Sequence, residues 1–421
     1  MAPGMRAWGS MCVQAVGVAL VLVSVGLGLP TDAQSADGRD ATVSASASDA
    51  RGATCSSRAR TGPRSRHRTQ RSMRGAAGRR HQARRKRGGP CRPSRSFPPA
   101  TGGYLRGVNS YTFAYASSDP AYRGEPSSSY VFLASRGVKM VRLPFYWGML
   151  QPTLGGPLDA RYLTALRQEV NRIKSAGMSV VLDLHNSCRW PMYDSKAVCG
   201  NGITRNQAAD VWRRLSDAFK DEQAVVAYDL MNEPYEMPAS TWESFSQAMV
   251  SAVRSNGDAK TLWIEGSAWS AVEAFAERHP RAWIRDPADN LVYSAHQYFE
   301  YAGRYERGFD YDSYSAEMRS VIPRLRSFTN WLAANEVQGS IGEVGWPSAD
   351  STTTWRRWNA IGERWYSAAD KAGLSVAYFS VTSAYDEKNA AYEAPHNAFN
   401  VFPGISDAQS QASVIEAHPS R

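Results

Sequence analysis

Short apolar, β-branched segments alternate with amphipathic segments from about Thr101 to Val381, and this alternation restricts the possible folds more than any other feature of the chain. Several apolar segments, such as Val180-Val181-Leu182, are continuously hydrophobic, which is typical of strands buried on both faces of a parallel sheet. Eight strand–helix units in roughly 300 residues predict a closed (β/α)8 barrel. The predicted strands are Tyr104–Asn109, Val138–Phe145, Met178–His185, Val225–Asn232, Thr261–Gly266, Leu291–Tyr298, Gln338–Glu343 and Ser375–Val381.

Between the strands, apolar residues recur at helical spacing. One predicted helix contains Tyr162, Leu163, Leu166, Val170 and Ile173, and ends at Gly177. A second contains Trp355, Trp358, Ile361 and Trp365, which we interpret as a stripe that packs on the sheet rather than as a sugar-binding strip. A doubly wound open sheet is the alternative fold. It would need a Gly-rich phosphate turn after an early strand, and no GxGxxG or GxxxxGK[ST] motif occurs there.

The positive charge of the chain is confined to its first hundred residues. The 421 residues have a net charge of +10, but residues 1–100 hold 18 Lys and Arg against 4 Asp and Glu. Residues 101–421 therefore have a net charge of −4. We expect no nucleic-acid binding by the folded part. Its share of the 13 Trp and 20 Tyr supports a large core and indicates flat ligands that stack on aromatic rings.

The first hundred residues predict an export signal followed by a linker. Met11–Leu29 is almost entirely apolar and is followed by small residues, so residues 1–33 are typical of a secretory signal peptide, with an uncleaved signal-anchor as the alternative. Residues 34–100 are rich in Ser, Ala, Gly, Pro and Arg, and we expect them to be disordered. This basic linker is either a solvated spacer or an arm that binds anionic cell-wall polymer or phospholipid. The catalytic domain is predicted over residues 101–421 of a secreted protein.

Cysteine positions agree with this division. Cys188 and Cys199 have ten residues between them, in a loop-like stretch of the folded part. In an oxidising compartment a disulfide between them is expected. Neither has a CxxC or CxxH neighbour, so a metal site is not expected there. Cys55 and Cys91 lie in the linker, where their pairing stays open.

Polar or titratable side chains stand at the ends of most predicted strands, where the active site of a barrel forms. They are Arg142, His185, Asn232, Glu233, His296, Tyr298 and Glu343. A chance convergence of these groups is disfavoured, because burying charge without purpose costs several kcal/mol per ion. No strand ends on a thiol, and no GxSxG turn is present for a nucleophilic serine.

Two carboxylates on nearly opposite strands favour glycoside hydrolysis, in which one protonates the departing oxygen and the other meets the anomeric carbon. Glu233 follows strand four and Glu343 ends strand seven. At a separation of roughly 5 Å the reaction would retain configuration through a covalent intermediate. Arg142 would keep Glu343 ionised as the nucleophile, and the charge of Glu343 would help to keep Glu233 protonated as the acid and later the base.

Five segments occur in this order and at barrel spacing: RLPFYW, DLHN, LMNEP, HQYF and GEVGWP. Together they resemble glycoside hydrolase family 5 over about residues 103–381. Within that family they look most like the endo-β-1,4-glucanase branch. The resemblance implies that Glu233 is the acid/base and Glu343 the nucleophile. It implies that Asn232 binds the sugar 2-hydroxyl and that Arg142 and Tyr298 hydrogen-bond Glu343. It also implies that His185 and His296 shape the −1 subsite.

One position departs from the family pattern. Members usually carry a Trp at the end of strand eight, beneath the −1 sugar, whereas this chain has Phe379, which keeps a stacking face but lacks the indole N–H. Trp147, Trp190 and Trp346, each just beyond a strand end, are candidate sugar platforms or ordinary rim residues. The segment from Asp386 to Gly404, which contains His396, matches nothing in that pattern.

The predicted function is hydrolysis of a β-1,4-linked polysaccharide, most simply as an endo-β-1,4-glucanase, by a monomer that needs no cofactor. A β-mannanase or an exo-acting β-glycosidase of the same family is the alternative within this class. A non-catalytic carbohydrate- or wall-binding protein is the alternative from a different class. Transglycosylation would use the same residues.

Overall fold

Eight parallel strands form a closed barrel in the computed structural model, which describes residues 103–116, 124–192, 194–299, 311–346, 352–383 and 401–421. The strands are β1 (Arg106–Ser110), β2 (Met140–Phe145), β3 (Ser179–Leu184), β4 (Val225–Asp229), β5 (Thr261–Glu265), β6 (Leu291–Tyr298), β7 (Gly339–Gly345) and β8 (Ser375–Val381). Each strand pairs in parallel with the next in the sequence, and β8 pairs with β1. The predicted (β/α)8 barrel is confirmed, and the open doubly wound sheet is wrong because the sheet closes.

All eight predicted strands are present, and β6 and β8 have the predicted bounds. The largest difference is at β4, which ends at Asp229 rather than at Asn232. Leu230 and Met231 are fully buried although they lie beyond the ladder. A hydrophobic run indicates burial but not strand pairing, so the predicted strand is three residues longer than the observed one.

Helices follow most of the strands and cover the outside of the barrel. Their ranges are Thr112–Ala116, Ser127–Ser135, Trp147–Leu150, Ala160–Ser175, Arg205–Phe219, Ala239–Ser255, Phe275–Arg278, Tyr311–Asn335, Thr352–Ala372 and Ala412–Ala417, with a 3-10 turn at Pro403–Ile405. Asp159 caps the helix that begins at Ala160 by accepting the amide hydrogen of Tyr162, and Gly177 lies beyond its end with φ of +77°. Trp358, Ile361 and Trp365 are buried, as predicted for a core-facing stripe.

The barrel interior is built in layers, and the layers determine where polar groups can stand. An apolar layer consists of Met140, Val181, Ala227, Trp263 and Ala377, all buried. Side chains two residues apart on a strand point to the same face. The next layer towards the carboxyl ends of these strands therefore consists of Arg142, Asp183, Asp229, Glu265 and Phe379. Four of these five side chains are charged, so at four of the five strands the sequence switches from apolar to polar between the two layers.

The segment after β3 forms a small separate sheet. Its three short strands are Arg189–Trp190, Ala197–Cys199 and Gly202–Ile203. Cys188 and Cys199 form a disulfide, which confirms the predicted pair, and both are buried. The disulfide fixes this segment beside the carboxyl end of β3.

Several predictions fall outside the described residues. These are the signal peptide, the basic linker with Cys55 and Cys91, and residues 386–400 of the segment with His396. Within the part of the chain that the structure describes, no helix is long and apolar enough to cross a membrane.

Candidate active site

Every side chain predicted for the site lies at the carboxyl end of the barrel, and direct contacts join the members into one cluster. Arg142 contacts Glu343 and Asn232, and Asn232 contacts His185. His296 contacts Glu233, Tyr298 contacts Glu343, and the ring of Phe379 packs against Tyr298. The geometry therefore brings together all eight predicted residues.

Arg142 is the centre of the cluster. It is fully buried, and its guanidinium reaches side chains from five other strand ends. Its partners, all at 2.9 to 3.1 Å, are Asn109, Asp183, Asp229, Asn232, Glu265 and Glu343. Four of the six are carboxylates that face a single cation. Buried charges are stable only when they are paired, so this layer needs further protons or cations.

Glu343, at β7, is held as a carboxylate. Its Oε1 accepts a hydrogen bond from Arg142 Nη1 at 2.9 Å, and its Oε2 accepts one from the hydroxyl of Tyr298. The Nδ1 atom of His296 lies 3.6 Å from Oε2. Burial acts to raise the pKa of Glu343, but the charges of His296 and Arg142 outweigh it and lower the pKa. Glu343 is therefore suited to act as an ionised nucleophile.

Glu233 has the opposite character. It has a left-handed backbone with φ of +46°, and its side chain is about a quarter exposed to the pocket. Its Oε1 lies 2.8 Å from His296 Nδ1, and its backbone N–H donates to Glu265 Oε2 at 2.6 Å. Burial raises the pKa of Glu233 and the negative charge of Glu343 adds to this, against the hydrogen bond from His296. Glu233 is therefore suited to carry a proton.

The two carboxyl groups are close. One oxygen of Glu233, one oxygen of Glu343 and one ring nitrogen of His296 lie within 4.8 Å of one another. Opposite pKa shifts in neighbouring carboxyl groups are the pattern that assigns one as acid and the other as base or nucleophile. Because Nδ1 of His296 faces both carboxyl groups, we interpret the three side chains as a hydrogen-bonded group that shares protons, and not as metal ligands.

On the other side of the pocket, His185 is held by groups that fix its ring. Asp183 Oδ2 lies 2.8 Å from its Nδ1, and the hydroxyl of Tyr111 lies 2.8 Å from its Nε2. The side-chain nitrogen of Asn232 lies 3.3 Å from the same Nε2. Asn232 is thus fixed between His185 and Arg142, with both ends of its amide oriented.

Phe379 belongs to a group of aromatic rings beside these polar residues. Its ring lies 5.0 Å from that of Tyr111 and 5.6 Å from that of Tyr298, both at T-shaped angles, and Tyr146 belongs to the same cluster. Such contacts hold each ring in one orientation. Phe379 is 7% exposed, so only a small part of the ring is open to the pocket.

The interpretation as a sugar platform is wrong for two of the three candidate Trp residues. Trp147 and Trp346 are fully buried. The indole N–H of Trp147 donates to Gln151, and that of Trp346 donates to Asn359. Each Trp follows a strand end, but its helix or loop turns the ring into the core. Only Trp190 is partly exposed.

Sequence reasoning missed an aromatic pair beside Glu233. The rings of Tyr235 and Trp269 stack with their centroids 5.2 Å apart and an angle of 14° between their planes. The backbone N–H of Trp269 donates to the carbonyl of Pro234. Ala268, Trp269 and Ser270 have consecutive positive φ angles, so the turn after β5 places this ring. The guanidinium of Arg189 lies 4.4 Å from the Tyr235 ring.

It also missed the buried polar groups around Arg142, namely Asn109, Asp183, Asp229 and Glu265. Each lies at or one residue before the end of its strand, so the position alone could have identified it. Glu265 is the clearest case, because it ends the apolar run of β5 as Glu343 ends that of β7. Asp183 was hidden inside the DLHN motif behind the more conspicuous His185.

A (β/α)8 barrel with two carboxyl groups at the ends of β4 and β7 defines a class of glycoside hydrolases. The family model Cellulase (glycosyl hydrolase family 5) matches residues 109–385. The chain belongs to this family.

Relatives agree with this assignment. The "manganese dependent endoglucanase Eg5A" of Phanerodontia chrysosporium is 32% identical over 223 residues, which are 49% of this chain and 56% of the relative. Endo-beta-1,4-glucanase A of Emericella nidulans is 29% identical over 53% of this chain and 68% of its own length. The crystal structure of the endo-beta-1,4-glucanase Xac0029 from Xanthomonas axonopodis pv. citri is similar at a TM-score of 0.63 and 26% identity, over 75% of this chain and 98% of that one. The chain thus spans little more than half of the first of these relatives.

Proposed function

We propose that this protein is a retaining endo-β-1,4-glucanase in which Glu233 is the acid/base and Glu343 the nucleophile. The observation that carries the proposal is the pair of carboxyl groups with oxygens within 4.8 Å and opposite pKa shifts. Inverting glycosidases need a gap of about 6.5–9.5 Å for a water molecule, whereas retaining ones have about 5 Å. The short separation therefore supports retention.

In the first step, a carboxylate oxygen of Glu343 attacks the anomeric carbon and forms a glycosyl ester. Glu233 gives its proton to the glycosidic oxygen as the bond to the leaving sugar breaks. Arg142 and Tyr298 hold Glu343 in place for the attack. The loss of negative charge on Glu343 allows Glu233 to ionise, since the two carboxyl groups are coupled through space.

In the second step, Glu233 is a carboxylate and acts as the base. It takes a proton from a water molecule, whose oxygen attacks the anomeric carbon, and Glu343 leaves as the carboxylate. Two inversions give net retention. Transglycosylation differs only in that a sugar hydroxyl replaces the water, so product analysis with added cellobiose would separate the two.

The neighbouring residues are assigned to the sugar at the cleavage point. Asn232 is proposed to bind its 2-hydroxyl, and His185 and His296 to shape the −1 subsite. Phe379 is proposed to contact the sugar face. These roles are supported by the fixed amide of Asn232 and the held ring of His185. Hydrogen bonds to the 2-hydroxyl that strengthen in the transition state contribute to catalysis.

The substrate is assigned from the relatives and from one feature of this chain. Two curated relatives and a similar solved structure are named as endoglucanases or endo-β-1,4-glucanases. The stacked pair Tyr235 and Trp269 lies in the turns after β4 and β5, close in the chain to Glu233, which is proposed to protonate the oxygen of the leaving sugar. We assign this pair as a platform for that sugar, because pyranose faces stack on aromatic rings. A subsite for the leaving part of the chain supports cleavage within a polymer.

The test is hydrolysis by the full chain of carboxymethyl-cellulose, mixed-linkage β-glucan, β-mannan and xylan, followed by both reducing ends and viscosity. We expect cleavage of the two glucans with a rapid fall in viscosity, and no cleavage by Glu343→Gln. Glu277→Gln, which changes an exposed glutamate on the short helix Phe275–Arg278 that is not among the residues of the site, is the matched control and should remain active. Azide should restore activity to Glu233→Ala on aryl cellobiosides, because it attacks the glycosyl ester without a base.

Other outcomes would identify the alternatives. Cleavage of mannan alone would make the protein a β-mannanase, and release of reducing ends without a fall in viscosity would make it exo-acting. Polysaccharide binding by a folded protein that hydrolyses none of the four polymers would indicate a carbohydrate-binding protein. An initial product with inverted anomeric configuration by NMR would overturn the retaining mechanism.

We also propose that residues 1–33 direct export and that the basic segment 34–100 binds anionic cell-wall polymer. The supporting observations are the apolar run Met11–Leu29 and the concentration of Arg in the linker. Sequencing of the secreted protein should give Gln34 as its first residue. Co-sedimentation with teichoic-acid-containing walls should fall with rising salt and should be lost when residues 34–100 are deleted.

A further inference from the structure

We propose that Glu265 is a positioning residue of this site, which holds a proton on Nε2 of His296 and fixes the backbone of Glu233. It thereby sets the alkaline limit of activity. The inference rests on the proposed role of Glu233 as the acid, but its central measurement needs no substrate. Nothing in the assigned two-carboxylate reaction requires a third glutamate at the end of β5.

The contacts of Glu265 are directed at the catalytic groups. The side chain is fully buried. Its Oε1 lies 3.0 Å from Arg142 Nη2 and 2.9 Å from His296 Nε2, while its Oε2 accepts the backbone N–H of Glu233 at 2.6 Å. Three donor groups from β2, β6 and the end of β4 therefore converge on one carboxylate. A residue that only filled space would not need both oxygens.

The bond to the backbone has a local purpose. Glu233 is a non-glycine residue with φ of +46°, a conformation that costs energy unless its surroundings enforce it. Glu265 Oε2 holds the amide of this residue. The side chain of the acid consequently leaves the backbone in the direction of His296 and the pocket.

The ring of His296 is surrounded by carboxyl groups. Its Nδ1 lies 2.8 Å from Glu233 and 3.6 Å from Glu343, and its Nε2 lies 2.9 Å from Glu265. Arg142 reaches this group through Glu265 and Glu343, and Asp229 also interacts electrostatically with the ring. The backbone N–H of His296 donates a hydrogen bond to the carbonyl of Ser270.

This environment favours a proton on Nε2 whichever form Glu233 has. If Glu233 is ionised, a doubly protonated ring hydrogen-bonds Glu233 through Nδ1 and forms an ion pair with Glu265 through Nε2, at 2.9 Å. If Glu233 is protonated, its hydroxyl can donate to Nδ1 while Nε2–H still faces Glu265. Burial acts to lower the pKa of His296, but Glu265, Glu343 and Glu233 outweigh it and raise the pKa well above its usual range.

The sign of the effect on activity follows from charge. Glu233 and His296 exchange protons across 2.8 Å, so they titrate as a pair. Removing a negative charge beside the pair lowers the proton affinity of both members. The pair then loses the catalytic proton at a lower pH, and the alkaline limb of the kcat/KM profile moves towards acid.

Glu265→Gln tests this directly. Glutamine has one acceptor and one donor end, so it cannot accept from Arg142, His296 and the amide of Glu233 at once. We expect the alkaline limb to move down by about 1–3 pH units, the range for loss of one close opposite charge. Glu265→Asp keeps the negative charge, so its alkaline limb should lie close to that of the wild type, while its kcat stays reduced.

Asp229→Asn is the matched control. Asp229 is equally buried and also binds Arg142, at 2.9 Å, but it contacts neither His296 nor the amide of Glu233. Burial and the negative charge of Glu265 raise its pKa. Its shift of the alkaline limb should be smaller than that of Glu265→Gln. An equal shift would overturn the specific role of Glu265.

The second measurement is the titration of His296 in the substrate-free full chain, by 15N NMR of protein labelled in its seven histidines. His296→Gln identifies the signal. We expect Nε2 to stay protonated and the proton shared by Nδ1 and Glu233 to be lost well above pH 7, with this loss shifted to lower pH in Glu265→Gln. A wild-type His296 whose neutral ring carries its proton on Nδ1, or whose ring loses its charge near the ordinary pKa of about 6.5, would overturn the proposal, even if the variants fail to fold. An inactive protein with the expected His296 titration would instead refute only the proposed hydrolase activity.

Discussion

Removing the hydroxyl of Tyr298 should move the acid limb of activity without disturbing the fold. In Tyr298→Phe, Glu343 loses the hydrogen bond to Oε2 and keeps that from Arg142 to Oε1. The ring can remain packed against Phe379, since that contact does not use the hydroxyl. The change therefore isolates one bond to the charged form of the nucleophile.

The magnitude follows from that bond. Hydrogen bonds to charged groups contribute about 1.5–3 kcal/mol, and 1.36 kcal/mol corresponds to about one pKa unit. The Tyr298 bond favours the ionised form of Glu343, and its loss raises the pKa. Activity falls as pH drops through the pKa of the nucleophile, so the acid limb should move up by about 1–2 pH units. Arg142 and His296 remain and limit the shift to this range.

The assay is the pH dependence of kcat/KM on an aryl cellobioside, with thermal unfolding measured in parallel. Tyr111→Phe is the control, because it removes a hydroxyl from the same pocket that contacts His185 rather than Glu343. Its acid limb should stay close to that of the wild type. A Tyr298→Phe enzyme that loses activity equally at every pH would refute the argument that this hydroxyl acts on the ionisation of Glu343.

Three further predictions concern the fold and the chemistry. Arg142→Met should abolish activity and lower the free energy of unfolding by about 3–5 kcal/mol, because it leaves buried carboxylates without their cation; a normal urea midpoint would contradict this. Replacing Cys188 and Cys199 together by Ala should cost about 3 kcal/mol, as expected for a loop of 11 residues; an unchanged melting temperature would show that the loop is held by its other contacts. Dialysis against EDTA should leave kcat unchanged, because the proposed acid and nucleophile are both side chains, and activity that returns only with added Mn²⁺ would refute a metal-free reaction.

The barrel was predictable because its strands are buried on both faces. Short apolar, β-branched segments located all eight, several of them as continuous hydrophobic runs, and no predicted strand end differs from the observed one by more than three residues. The error at β4 has a physical cause, since Leu230 and Met231 are buried by packing after the strand has ended. Hydrophobicity records the loss of water contact and carries no information on which backbone groups pair.

The catalytic carboxyl groups were predictable for a different reason. Glu233 and Glu343 interrupt apolar runs at strand ends, where a charge needs an explanation. Trp147 and Trp346 also follow strand ends, but both are buried and are not sugar platforms. The sequence does not show which way a side chain turns after its strand has ended. Tyr235 was missed because its contact with Trp269 joins residues from different loops.

The polar layer above Met140, Val181, Ala227, Trp263 and Ala377 shows how stability and catalysis are connected in this barrel. Asp183, Asp229, Glu265 and Glu343 surround Arg142, so full ionisation would leave a buried excess of negative charge. That excess is costly for folding, yet it raises the pKa of His296 and of Asp229 and thereby retains protons in the site. Glu343, which lies 2.9 Å from Arg142 and 3.6 Å from His296, is the one whose pKa falls, because the charges of these two groups outweigh the effect of burial. The same imbalance thus separates a nucleophile from a proton donor, which a fully neutral, more stable layer could not do.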